Sequence, residues 1–257
     1  MTDKKCKENL VSIVMPTHNS EKLVRESIES ILNQSYQNWE LNVVDDASND
    51  NTLNILKEFE KQDDRIKVTA NKINSGAAVT RNVSINKATG QYIAFLDSDD
   101  IWEIDKLKLQ LSFMKSINAS ISFTAYKVIN EEGEESGQLV DTKATGTYDY
   151  SDMLAKKATF GCSTVILDQC LVGKMQMPLL RTGQDYAYWL SILKTGHCAY
   201  AFNQALTRYR IVPGSISRNK VRKAMRKWEI YRRIEKINVF LSSWYFLNYA
   251  WRAVFRK

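Results

Sequence analysis

Three aspartates crowd into four positions at Asp97-Ser98-Asp99-Asp100. Carboxylates this close repel one another unless something positive arrives among them. Their oxygens are hard donors suited to Mg2+ or Mn2+, and Mg2+ in particular keeps water and shares its shell with substrate phosphates. The alternative is that Asp99 or Asp100 caps the helix that follows Trp102. A second acidic pair, Asp45-Asp46, offers Asp46 as an acceptor for a nucleotide base or ribose, or as a cap for the turn Ala47-Ser48-Asn49. The familiar nucleotide and hydrolase signatures are absent: no G-x-G-x-x-G follows the first strand, and there is no G-x-x-x-x-G-K-[ST] or G-x-S-x-G. A diphosphate bound without a glycine loop has to be neutralised by metal and basic side chains. Arg81 is a candidate for that role, or else a solvated surface cation.

The elements that position these residues alternate between strand and helix patterns. Leu10–Met15 is a short apolar run ended by Pro16 and reads as a buried strand. Leu23, Ile28, Ile31 and Leu32 recur at helical spacing behind Ser20 as N-cap. Trp39–Val44 is a second strand, Asp50 caps a helix through Phe59, and Ile66–Ala70 is a third strand. Ala77–Ala88 is a helix closed by Gly90 in the C-terminal glycine position, and Tyr92–Leu96 is a fourth strand. This rhythm predicts an α/β fold with a mostly parallel sheet covered on both faces, whose ligands sit beyond the carboxyl ends of the strands. Thr17-His18-Asn19, Asp45-Asp46 and Asp97–Asp100 then share one edge. Further on, Ile104–Ile117 reads as helix, Ser120–Ile129 and Phe160–Leu167 as strands, and Asp185–Leu193 as helix. Tyr200–Phe202 and Leu206–Arg210 read as two short strands, and residues 134–150 carry no clear pattern.

Composition narrows the class. With 257 residues, 44% hydrophobic and 25% charged, the chain is of ordinary globular make-up, which excludes collagen-like and disordered classes. The four cysteines are scattered and there are two histidines, so a zinc centre is not expected. Met1–Glu8 is polar and lacks the apolar core of a signal peptide, so a cytoplasmic chain is expected. The net charge of +7 is unevenly placed: twelve Lys/Arg against Glu229 and Glu235 put +10 after residue 217, leaving −3 for the body. A mildly acidic body is not the basic face of a nucleic-acid binder. The tail couples its cations to Val239–Trp251, an aromatic-rich stretch too short to span a bilayer. Basic amphipathic helices of this make-up suit an anionic membrane surface; the alternative is packing on the domain or a dimer seam.

Four segments together carry a resemblance to a family: VSIVMPTHN (11–19), ESILNQSYQNWELNVVDDASNDNT (29–52), NSGAAVTRN (74–82) and GQYIAFLDSDDIW (90–102). They resemble the family 2 inverting glycosyltransferases of the GT-A fold. The resemblance implies a single Rossmann-like GT-A domain over residues 1–217, followed by the 218–257 tail. It implies that Pro16, Thr17, His18 and Asn19 line the nucleotide base pocket, that Asp46 binds uracil, and that Arg81 lies near base and phosphate. Asp97 and Asp99 match the D-x-D pair that holds ribose and a divalent metal, Mn2+ or Mg2+. Gly183-Gln184-Asp185-Tyr186 matches the context of the general base, which nominates Asp185, with Gln184 where many members carry Glu. Tyr209–Ser217 resembles the closing loop but has no histidine near Val212, so Arg210 is offered for a diphosphate contact instead.

The function so implied is transfer of a hexose, with inversion, from a nucleoside-diphosphate sugar (UDP-Glc, UDP-Gal or UDP-GlcNAc). The acceptor is a polyprenyl-diphosphate-linked sugar of bacterial surface polysaccharide, O-antigen or capsule. The enzyme is expected at the inner face of the cell membrane. A different class, a non-catalytic sugar-nucleotide-binding or scaffold subunit, is argued against by Asp46, Asp97, Asp99 and Asp185 occurring together, because a binder needs no base.

Overall fold

The computed structural model describes residues 6–212 and 220–255. Its first half runs β1 (Lys7–Thr17), α1 (Val24–Leu32), β2 (Trp39–Asp45), α2 (Thr52–Gln62), β3 (Ile66–Ala70), α3 (Ala77–Lys87) and β4 (Gly90–Phe95). The second half adds β5 (Ile101–Trp102), α4 (Lys106–Ser116), β6 (Ile121–Ile129), β7 (Glu135–Val140), β8 (Thr147–Tyr148) and α5 (Tyr150–Leu154). After a 3-10 turn at Cys162–Thr164 come β9 (Val165–Asp168), α6 (Gln169–Val172), α7 (Gln184–Leu193) and β10 (Ala199–Arg210). The tail forms α8 (Lys220–Glu229), a π-helical turn (Ile230–Ile234) and α9 (Val239–Phe255).

The sheet order is β3-β2-β1-β4-β9-β6-β10-β5, with β7 beside β6 and β8 beside β10. The pairs β3-β2, β2-β1, β1-β4 and β6-β10 are parallel, while β9 and β5 run against their neighbours. This is the mostly parallel α/β sheet expected. Every residue of β2 is buried, because apolar layers cover both faces. On one face Val24, Ile28 and Ile31 of α1 pack with Leu56 and Phe59 of α2 and Leu107 and Leu111 of α4. On the other, Ile85 of α3 packs with Phe95, Phe123 and the α7 residues Tyr188, Trp189 and Ile192.

Several local expectations need correction. Pro16 does not end β1 but sits inside it, opposite Val44. It shares parity with Val14, whose carbonyl accepts from Leu96 at 3.1 Å, so its missing N–H faces the β4 side where pairing has stopped. Ser20 is not the N-cap of α1, a position held by Leu23; its carbonyl accepts from Leu23 and Val24 at 3.0 and 2.9 Å in the turn before the helix, and its hydroxyl meets that of Ser98 at 2.8 Å. Gly90 is not a left-handed helix end; it opens β4, where a Cβ would collide with the backbone of Leu10 on β1. Tyr200–Phe202 and Leu206–Arg210 are one strand, β10, whose register against β6 slips between Phe202 and Thr207. That irregularity breaks the period-2 alternation and splits the sequence signal. The strand expected over Phe160–Leu167 begins only at Val165, after the 3-10 turn.

The tail helices do not stand apart from the sheet. Ile230 and Tyr231 are fully buried in the same core as Trp189. By contrast α9 leaves Phe240, Trp244, Leu247 and Trp251 exposed. No helix among the described residues is long and apolar enough to cross a membrane.

Candidate active site

Parallel pairing aligns the ends of β1, β2 and β4, and the polar segments that follow them meet at one edge. The Asp46 N–H donates to the Thr17 carbonyl at 2.8 Å, which ties the loop after β2 to that after β1. The Asp46 carboxylate then accepts from Asn71 Nδ2 (2.8 Å), Ser75 N (2.9 Å) and Gly76 N (2.7 Å), fixing the approach to α3. Burial works to raise its pKa, but these hydrogen bonds outweigh it and hold Asp46 below the ordinary aspartate range. Next to it Ala47 has φ +56, a left-handed conformation that costs a residue with a Cβ roughly 1–2 kcal/mol. Its neighbours are pinned on both sides, since Ser48 N donates to Asp45 Oδ2 at 3.0 Å. His18 Nε2 lies 3.0 Å from Asn74 Nδ2, and Asn49 N donates to Asn19 Oδ1 at 2.8 Å, so residues 17–19 and 46–49 form one hydrogen-bonded ledge.

The acidic segment after β4 is held from beneath. Asp97 N donates to Ser163 Oγ at 3.1 Å, and that hydroxyl donates to Asp100 Oδ2 at 2.5 Å. Asp100 Oδ1 accepts from the Arg210 N–H at 2.9 Å. Oxygens of Asp97, Asp99 and Asp100 all lie within 4.8 Å of one another. Burial, and then the neighbouring Asp97, push Asp99 up to about 6; burial followed by Asp99 and Asp97 pushes Asp100 well above its ordinary value. Three crowded oxygen donors, with the ionised forms of Asp99 and Asp100 disfavoured, fit a hard divalent cation and not a thiophilic one.

Arg81 is buried on α3 and ion-paired to Asp97. Burial opposes its charge, but the Asp97 carboxylate more than compensates and raises its pKa. Only Nη2 makes that contact: Nε and Nη1 are buried without a protein partner. A cavity of about 1170 Å³ opens here and is lined by Arg81, Asp97, Tyr126, Tyr209 and Asp185. Asp185 sits in the first turn of α7, behind Gly183 at φ +70, where the helix dipole favours a carboxylate. The fold thus brings together Arg81, Asp97 and Asp185, which are far apart in sequence. Asp46, His18, Asn19 and Asp99 are not in the lining and belong to the neighbouring ledge and acidic segment.

Arg210 lies elsewhere than its offered role would place it. Its Nε donates to the Asp99 carbonyl at 2.8 Å, Nη1 to the Asn130 and Glu131 carbonyls at 3.2 and 2.7 Å, and Nη2 to Glu26. All three nitrogens are engaged by protein oxygens, so Arg210 clamps the acidic segment from behind. Residues 213–217 of the closing loop, and the expected boundary after residue 217, lie outside the described residues.

One wall of the cavity escaped sequence reasoning. Lys223, Arg226 and Lys227 on α8, with Ile230 after them, follow i, i+3, i+4, i+7 spacing and line the same cavity as Asp185. Arg226 Nε donates to Thr182 Oγ1 at 3.1 Å, and a Cβ at Gly183 would lie 3.3 Å from Ile230 and 3.4 Å from Arg226. That spacing was the available signal, obscured by the tail's uniformly basic character.

Residues 12–173 match the family described as glycosyl transferase family 2. The chain belongs to this family. As a family 2 glycosyltransferase it is 43% identical over 248 residues to TuaG of Bacillus subtilis (strain 168), a glycosyltransferase named for teichuronic acid biosynthesis. That similarity covers 96% of this chain and 97% of TuaG. It is 40% identical over 242 residues to WfgD of Escherichia coli, a UDP-Glc:alpha-D-GlcNAc-diphosphoundecaprenol beta-1,3-glucosyltransferase, covering 93% and 92% of the two chains. Among solved structures, S. aureus TarS 1-349 in complex with UDP-GlcNAc superposes with a TM-score of 0.71 at 22% identity. That superposition covers 86% of this glycosyltransferase, which spans 64% of the TarS chain, and it shows the shared GT-A fold.

Proposed function

We propose that this glycosyltransferase moves a hexose from UDP-Glc, UDP-Gal or UDP-GlcNAc to a hydroxyl of a polyprenyl-diphosphate-linked sugar. The product is a β-linkage in bacterial surface polysaccharide. The observation that carries the reading is the single cavity shared by Asp185, Arg81 and Asp97. The names of TuaG and WfgD support the pathway and acceptor class. The ledge of Pro16, Thr17, His18, Asn19 and Asp46 receives the nucleotide base. The free Nε and Nη1 of Arg81 donate to diphosphate oxygens, which relieves two buried, unpaired donors. Asp97 and Asp99 would hold Mn2+ or Mg2+, which when bound neutralises the leaving diphosphate as a Lewis acid. Asp185 takes the proton from the acceptor hydroxyl as that oxygen attacks the anomeric carbon from the face opposite the diphosphate. A single displacement inverts the configuration, so an α-linked donor gives a β-linked product. Holding acceptor and donor in this alignment supplies much of the rate.

The test is a screen of the three UDP-sugars with Mg2+ or Mn2+ and a GlcNAc-diphospholipid acceptor. A β-linked disaccharide lipid is expected, with release of UDP. An α-linked product, or no transfer from any of the three donors, overturns the reading.

The acceptor is a membrane lipid, and we place the enzyme at the inner membrane face through α9. Phe240, Trp244, Leu247 and Trp251 recur every three or four residues, forming one exposed stripe on a helix that follows Arg232, Arg233 and Lys236 in sequence. Deleting the whole tail would also remove Ile230 and Tyr231 from the core, so substitution is the cleaner probe. F240S/W244S/W251S is expected to lower partitioning onto anionic vesicles by about tenfold, with the residual binding sensitive to salt. Unchanged co-sedimentation of the folded variant would place the contact elsewhere.

A further inference from the structure

The cavity has two cationic regions, and donor binding accounts for only one of them. Beside Asp97 stands Arg81. Across from it, α8 and the π-helical turn contribute Arg222, Lys223, Arg226, Lys227, Arg232 and Arg233 to the lining, against the single carboxylate of Glu229. Glu229 is already engaged by Arg226 at 2.6 Å and approached by Arg233 at 3.7 Å. This wall therefore holds a large excess of positive charge inside a concave site. Like charges gathered in a cleft repel one another, a cost to stability that a bound anion would relieve.

We infer that the α8 wall, centred on Arg222, Lys223 and Lys227, binds the diphosphate of the lipid-linked acceptor, separately from the donor diphosphate at Arg81. The inference rests on the acceptor class proposed above. In such an acceptor the attacking hydroxyl and the diphosphate are substituents of one sugar ring. A hydroxyl held at Asp185 therefore brings the diphosphate within a sugar's width of that carboxylate, and Lys223 and Lys227 line the same cavity and interact electrostatically with Asp185. Arginine forks and lysine ammonium groups are the side chains suited to such an anion. Lys227 lies over the Tyr186 ring. Burial lowers its pKa, Asp185 works to raise it, and Lys156 and Lys223 lower it further. An arriving diphosphate adds negative charge beside Lys227 and so favours its charged form.

The test measures binding of farnesyl diphosphate to the full chain in the presence of saturating UDP and Mg2+. It compares wild type with R222Q/K223Q, whose two side chains are exposed, and with K87Q/K108Q, which removes equal charge from exposed positions outside the cavity lining. Wild type is expected to bind with UDP present, and R222Q/K223Q to bind at least about tenfold more weakly. K87Q/K108Q should match wild type, and UDP affinity should stay within about threefold throughout. Circular dichroism checks the fold of each variant. The inference is overturned if wild type does not bind, if UDP displaces the probe, or if farnesol binds as tightly. Equal weakening in both double variants, or none in R222Q/K223Q, overturns it as well. The expected binding pattern without sugar transfer by wild type would remove the proposed reaction and leave this site standing.

Discussion

Replacing Asp185 with Asn lowers sugar transfer by at least about 10²-fold without weakening the binding of UDP-sugar. Asparagine keeps the size and the first-turn position on α7 but has no basic oxygen to take the acceptor proton. Donor affinity is expected to hold or tighten, because the substitution removes a negative charge that acts on Arg81 and shares its cavity. The loss should therefore fall on kcat, with the donor KM little changed. Steady-state transfer and isothermal titration with UDP-sugar read the two quantities separately. Transfer near the wild-type rate would mean that another group accepts the proton.

A larger loss, about 10³-fold, is expected for Asp99→Asn. Lewis-acid stabilisation of a leaving diphosphate is worth several kcal/mol, and each ~1.4 kcal/mol is tenfold in rate. Burial and the nearby Asp97 already push Asp99 up to about 6 even with Arg210 and Arg81 acting the other way, and a cation among the carboxylates would offset the remaining cost of its negative charge. Asparagine relieves that repulsion, and the variant should melt no lower than wild type while needing far more Mg2+ or Mn2+ to saturate. Metal titrations of transfer, with a melting curve for each protein, separate lost metal binding from lost fold. Full wild-type turnover in excess EDTA would remove the metal from the mechanism.

The half of the site proposed to handle the nucleotide is legible in sequence because its residues fall at strand ends. β1, β2 and β4 are short apolar runs of clear period, and parallel pairing alone brings Thr17, Asp46 and Asp97 to one edge. The acceptor half is not legible in the same way. Asp185 emerges only through family resemblance, since an acidic residue opening a helix is ordinary. The approach of α8 to Gly183 depends on tertiary packing of Ile230, which no local pattern encodes. Arg210 shows a further limit: the family resemblance offers it for a diphosphate contact, but the structure shows that its guanidinium faces Glu26 and the Asn130 and Glu131 carbonyls. β10 fails for a local reason, because its slipped register erases the alternation that marks a strand.

The position of β10 also sets an order of events during synthesis. It lies between β6 and β5 in the sheet, and its last residue, Arg210, brings the clamp that holds Asp99 and Asp100. Arg210 follows Asp100 by 110 residues, which takes the ribosome roughly 6–20 s at about 5–20 residues per second. For that interval β5 has no partner strand, and the acidic segment has no arginine behind it. The Rossmann-like half can fold early on the nascent chain, but the acidic segment acquires its final shape only when the last strand of the sheet threads home.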